Sequence, residues 1–195
     1  MTEWEKARQG QWINAADEDL WQRRQRAKML LWEAERLRPD QVEERMELYR
    51  QLLGGMGNDC YIEPPFRADY GTNITLGDGV YINYNLTVLD CAPVTVGNRV
   101  LIAPNVSIYN VEHPFDPVLR GTTAVERGKS VVIEDDVWIG GSVTILGGVT
   151  IGRGSIIGAG SVVNRDIPPG VVAAGNPCRP IRPIDPADRV HNPIV

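Results

Sequence analysis

The sequence predicts a mainly β chain: a triangular parallel β-solenoid with an α-helical segment at its N-terminus and one long inserted loop. Three observations predict it. Apolar residues recur every six positions from residue 70 onward. Glycine is concentrated in the same stretch, with 16 of the 20 glycines after residue 70. Trp4, Trp12, Trp21 and Trp32 fall in the first 32 residues, where the apolar spacing is helical, and Trp138 is the only tryptophan beyond them.

Within residues 17–37, Leu20, Ala27, Leu31, Ala34 and Leu37 are separated by 7, 4, 3 and 3 and share one helical face. Asn14 is the expected N-cap, and Asp17, Glu18 and Asp19 suit the positive end of the helix dipole. Pro39 ends the segment, because the residue before a proline avoids the α region. A second helix is predicted over 40–53, with Val42, Met46, Tyr49 and Leu53 on one face, and glycines 54, 55 and 57 stop it. Two helices alone bury little, so this head should pack on the rest of the chain or on a neighbouring subunit.

The six-residue column reads Tyr70, Leu76, Ile82 and Val88, then Val96, Ile102 and Ile108, then Ile133, Ile139, Ile145, Ile151, Ile157 and Val163. Four residues after each comes a second small or apolar residue, from Ile74 and Val80 to Ser155 and Ser161. Six is not the helical period. It fits short strands joined by tight turns, with the column pointing inward and Gly, Asn or Asp at the turns. Three hexapeptides per coil stack into a triangular solenoid. Large aromatics do not fit so narrow an interior.

The beat breaks twice. Val88 to Val96 spans eight residues, around Asp90-Cys91-Ala92-Pro93, and Ile108 to Ile133 spans 25. The second break is an insertion over about 109–130 that contains His113, one of only two histidines. Loops held on rigid frames are where function concentrates. The chain therefore divides into a helical segment, 1–57, a solenoid with the insertion, 58–179, and a Pro-rich tail, 180–195. The tail is expected to pack outside the solenoid or fray, and its His191 is assigned no role.

Net charge is −5 with both signs mixed, which argues against nucleic acid or an anionic membrane as partner. Three cysteines without a CxxC spacing suggest neither a disulfide framework nor a structural zinc site. With no apolar h-region and no membrane-length apolar run, a cytoplasmic protein is the expectation.

Several motifs together resemble the hexapeptide-repeat acyltransferases, in particular the maltose, galactoside and nodulation-type sugar O-acetyltransferases. They are Ala16-Asp17-Glu18 before Leu20, Tyr61-Ile62-Glu63-Pro64-Pro65-Phe66-Arg67, and His113-Pro114 with Asp116-Pro117-Val118 and Arg120. Val137-Trp138-Ile139-Gly140-Gly141, Gly158-Ala159-Gly160-Ser161 and Gly175-Asn176-Pro177-Cys178-Arg179 complete the set. The resemblance implies a left-handed coil, acetyl-CoA as donor without a metal, and a homotrimer with active sites between subunits.

Acetyl transfer to a hydroxyl needs a base for the hydroxyl proton and a donor for the oxyanion. Histidine suits the base role near neutral pH, and His113 matches the family's catalytic histidine. Asn83 matches the turn asparagine of the acceptor pocket, and the resemblance assigns it a catalytic role beside His113 as well as a sugar contact. Asp69 and Asp90 are candidates for sugar contacts. Asp17 fits a sugar contact and a helix start equally well. Glu126 could orient His113, touch the acceptor or be a solvated charge. Galactoside enzymes carry an acceptor-binding aspartate where this chain has Cys91, which favours the maltose or glucose side.

For the donor, Trp138 should lie against CoA or a neighbouring subunit, and Gly141 could offer an N–H to the thioester oxygen. Ala159 and Gly160 allow pantetheine close to the backbone. Asn164, Arg165 and Arg179 match positions near the adenine and phosphates. The reading is thus an acetyl-CoA-dependent O-acetyltransferase acting on a mono- or disaccharide. The alternatives are another acceptor (a galactoside, a nodulation-type oligosaccharide, an amino sugar or serine) and a non-catalytic binding solenoid.

Overall fold

The computed structural model describes residues 1–185 and 188. Helix α1 (Glu3–Arg8) opens the chain through a capping box, in which Thr2 accepts from the Glu5 N–H and Glu5 accepts from the Thr2 N–H. Six residues carry too little periodicity to announce this helix in advance. Helix α2 (Glu18–Arg36) buries Leu20, Ala27, Leu31 and Ala34, the expected face. Leu37 is the extended C-cap and only half-buried. Asp17, not Asn14, is the N-cap of α2: its Oδ1 accepts the N–H groups of Asp19 and Leu20 at 3.1 and 3.2 Å. Asn14 is drawn away into a short strand, Ile13–Asn14. Helix α3 (Val42–Leu52) packs on α2 through Met46, Tyr49 and Leu52.

Five coils of three short strands follow. The first face stacks Gly55–Met56, Ile74–Leu76, Val94–Val96, Val131–Ile133 and Thr150–Ile151, all parallel. The second stacks Tyr61–Ile62, Tyr81–Ile82, Leu101–Ile102, Trp138–Ile139 and Ile156–Ile157. The third stacks Phe66–Ala68, Leu86–Leu89, Ser107–Tyr109, Thr144–Leu146 and Val162–Val163. The sixfold column unrolls onto these faces in rotation, so Ala68, Val88, Ile108, Ile145 and Val163 form one internal pile. Each column residue from Leu76 to Val163 is buried.

Tyr70 departs from its expected place. It is buried, but in a separate cluster with Leu20 and Cys91, where Trp4 meets it edge-on at 5.3 Å. The aromatics Phe66 and Tyr49 pack at 5.8 Å where α3 covers the first coil. The narrow coils beyond admit only aliphatic side chains and small residues.

The three corners differ. The first-to-second corner holds the Gly-Asp and Gly-Asn turns. The second-to-third corner holds Asn83, Asn85 and Asn105, and is called the asparagine corner below. The third-to-first corner takes both breaks in the beat, because Val88 and Ile108 are register partners on the strands that precede them. It is called the insertion corner.

The insertion is ordered. Val111–Glu112 and Val125–Gly128 pair antiparallel, and Ile13–Asn14 adds a third strand on the other edge of Val125–Gly128. Between them, Asp116 caps helix α4 (Pro117–Thr122) by accepting the Leu119 N–H at 2.7 Å. The N-terminal segment thus clamps the loop to the solenoid. At the far end, Arg179–Pro183 runs antiparallel to Val171–Ala174, so one strand crosses the expected boundary at 179/180. His191 lies outside the described residues. Among those described, no helix is long and apolar enough to cross a membrane.

Candidate active site

The insertion corner gathers His113, Glu126, Asp69, Asp90 and Cys91 beside Arg24 and Lys28 of α2. His113 is exposed on the loop, with Nδ1 3.4 Å from the Val125 carbonyl oxygen. A carbonyl only accepts, so Nδ1 carries the hydrogen and the Nε2 lone pair is left open. The strand pairing that fixes Val125 thus places an acceptor beside Nδ1, which favours the Nδ1–H tautomer.

Asp90 is fully buried. Its Oδ1 accepts the N–H groups of Asp69 and Tyr70 at 2.9 Å, and its Oδ2 takes the Asn73 N–H at 3.4 Å. Burial outweighs these bonds and, with the nearby Asp69 charge, pushes its carboxyl up to about 7. Asp90 is occupied by the backbone it holds in place, and Asp69 is the carboxylate of the pair that faces outward, half-buried. Burial raises Asp69, with the charges of Arg24 and Lys28 opposing. Burial also raises Glu126, against the His113 charge. The Cys91 thiol, pushed up to about 12 by burial and the Glu126 charge, donates to Glu126 Oε1 at 3.8 Å.

Sequence reasoning missed the groups that hold this corner. Arg24 donates to the Tyr70 hydroxyl at 2.7 Å and to the Ala15 carbonyl at 2.6 Å. Asn73 and Asn110, both buried, donate to the carbonyls of Asp90 and Ala92 at 2.7 Å. Arg24 is one of several arginines on α2, and nothing in the pattern singles it out. Asp17 stands apart, its Oδ1 committed to the helix cap.

The asparagine corner collects a different set: Asn83, Gly141, Ala159 and Gly160. The Gly160 N–H donates to the Gly141 carbonyl at 2.9 Å, and Ala159 and Gly160 are exposed. Gly160 has φ +72°, and a Cβ there would meet nothing within 4 Å, so its backbone is open to an approaching chain. Asn83 Oδ1 accepts the Tyr84 N–H at 2.7 Å. Trp138 is 51% exposed on the second face, beside its register partners Leu101 and Ile156. In the last coil Arg179 donates to Asn164 Oδ1 at 3.2 Å, and Arg165 is exposed next to them. A third-face strand rises about 3.3 Å per residue, so the four-residue strand Leu86–Leu89 alone sets the two corners about 13 Å apart.

Comparison with known proteins agrees with this architecture. A family described as the maltose acetyltransferase hexapeptide capping motif matches residues 6–57, and the bacterial transferase hexapeptide, six repeats, matches 130–165. The galactoside O-acetyltransferase of Escherichia coli K12 is 43% identical over 95% of this chain and 91% of its own. A galactoside acetyltransferase solved with coenzyme A superposes with a TM-score of 0.91 at 42% identity, covering 96% of this chain and 94% of that one. A maltose O-acetyltransferase from Clostridium difficile 630 superposes at 0.88, also with 42% identity, over 95% and 98%. At this identity over nearly its whole length, the chain belongs to the maltose/galactoside O-acetyltransferase group of the hexapeptide-repeat acyltransferases, enzymes whose donor is acetyl-CoA.

Proposed function

We propose that this acetyltransferase acts on a hydroxyl of a mono- or disaccharide of the glucose or maltose type, with His113 as general base. The observation that carries the reading is the His113 imidazole, held at Nδ1 by the Val125 carbonyl above a carboxylate-rich corner. Nε2 takes the proton of the acceptor hydroxyl as its oxygen attacks the thioester carbonyl carbon. The tetrahedral oxyanion accepts a hydrogen bond from the Gly141 N–H. Collapse breaks the C–S bond, and the imidazolium returns the proton to the CoA sulfur. The products are an O-acetyl sugar and free CoA.

Asp69 and Glu126 accept hydrogen bonds from the sugar hydroxyls, and Asp90 acts through Asp69 as a positioning residue. Cys91 is neutral, so the pocket carries one charge fewer than an aspartate there would give. Asn83 completes the acceptor site opposite His113, Ala159 and Gly160 line the donor channel, Trp138 flanks it, and Asn164, Arg165 and Arg179 meet the nucleotide end of CoA. Asn83, Gly141, Ala159 and Gly160 lie at one edge of the third face and His113 at the other, whereas Asn164 and Arg165 follow the strand Val162–Val163 on the His113 edge. One copy cannot close both halves around a reacting thioester, so the enzyme works as a trimer in which one copy's insertion corner faces the next copy's asparagine corner.

Coenzyme A release with glucose and maltose tests the assignment. His113→Ala should lower kcat by roughly 10²–10⁴-fold, the usual worth of a positioned acid–base group. Unchanged turnover would refute the base.

A further inference from the structure

A groove of about 320 Å³ lies between α2 and the third face, just outside the insertion corner. No step of acetyl transfer needs it, yet it shares Asp69 with the acceptor pocket. Resting on the sugar reading above, we infer that this groove is an accessory glycosyl subsite. The preferred acceptor is then a neutral di- or oligosaccharide, with its acetylated unit at Asp69 and His113 and the next unit against Trp32.

The lining carries the argument. Leu31 and Ala68 give an apolar floor, and Trp32, 52% exposed, gives an aromatic wall. Arg36 lies over the Trp32 ring at 4.2 Å and holds it in place. Such a ring offers a flat surface to the C–H face of a pyranose. Both ends carry opposite charges in balance. Lys28 acts on Asp69 at the end nearest the acceptor pocket. Glu35 and Arg67 form an ion pair at the other. A groove whose charges cancel at each end does not select an anion or a cation, whereas hydroxyl groups can bond to both members of each pair. From Lys28 to Glu35 the helix rises about 10 Å, enough for one glycosyl unit beyond the one at Asp69.

The test compares kcat/KM for glucose and maltose in the wild type and in Trp32→Ala, whose exposed side chain can be removed without opening the core. The maltose-to-glucose ratio should exceed one in the wild type and fall about tenfold in Trp32→Ala, the worth of one aromatic contact. Thr87→Trp, which fills the groove from the opposite wall, should lower the same ratio. An unchanged ratio in both variants, or no maltose preference in the wild type, overturns the subsite and leaves the transferase assignment standing. Absence of turnover with either sugar overturns the sugar reading instead. The groove is then read by calorimetric titration with maltotriose: binding lost in Trp32→Ala supports the subsite, and no binding to the wild type overturns it.

Discussion

Asp90 shows what one residue does at this site. A carboxylate 0% exposed and bonded to three backbone N–H groups fixes the turn that presents Asp69. Its pKa is raised by burial to about 7. A group with a raised folded pKa binds more protons in the native state, so its contribution is fully present below the unfolded value, near 4, and is lost as pH rises through 7. Wild-type stability relative to Asp90→Asn should therefore fall between pH 5 and pH 8, by up to about 2 kcal/mol. Urea denaturation at the two pH values measures this, and a relative gain in stability with pH would contradict it. The identity of Asp90 was legible from the family pattern. Its task was not, because only folding shows that both oxygens meet backbone.

At the scale of the element, the coil repeats by close approach of backbone to backbone. At Gly97 a Cβ would lie 2.4 Å from Asp135 Oδ1 and 2.7 Å from the Asp135 nitrogen. Asp135 Oδ1 also accepts the Asn98 N–H at 2.9 Å, so it cannot withdraw freely. Gly97→Ala should cost about 2–3 kcal/mol by overpacking. Gly121→Ala, in α4 with nothing within 4 Å, should be neutral or slightly stabilising. Equal urea midpoints for the two variants would show that the turn tolerates a methyl group. The insertion obeys another rule. Its strand Val125–Gly128 has partners on both edges, and Ile13–Asn14 supplies one of them from more than a hundred residues away. The two-residue strand and the short helix α1 were invisible in sequence because neither is long enough to show a period.

At the scale of the whole molecule, the proposed trimer would join unlike halves, one from each of two copies. Co-assembly of His113→Ala copies with Asn83→Ala copies should restore activity, since random mixing regenerates about a quarter of the sites with both residues intact. Sedimentation tests for the trimer, and turnover of the mixture is compared with that of each parent. A mixture no more active than the mean of its parents would place both residues in one copy's site.

By itself the sequence determined the solenoid, because a six-residue period repeated thirteen times leaves no other way to bury the aliphatic column. It also determined the faces of the two long helices, and His113 was conspicuous as a histidine in the one long break. The left hand of the coil follows from family membership, not from the period. Only the tertiary structure decided that both breaks fall at one corner, that Asp17 caps a helix, and that Arg24 reaches Tyr70 from α2. It alone opened the groove beside Trp32. The physical reason is range. Periodicity records which side of its own element a residue buries, whereas a site is made of residues from different elements, brought together only when the coils stack and the head docks on them.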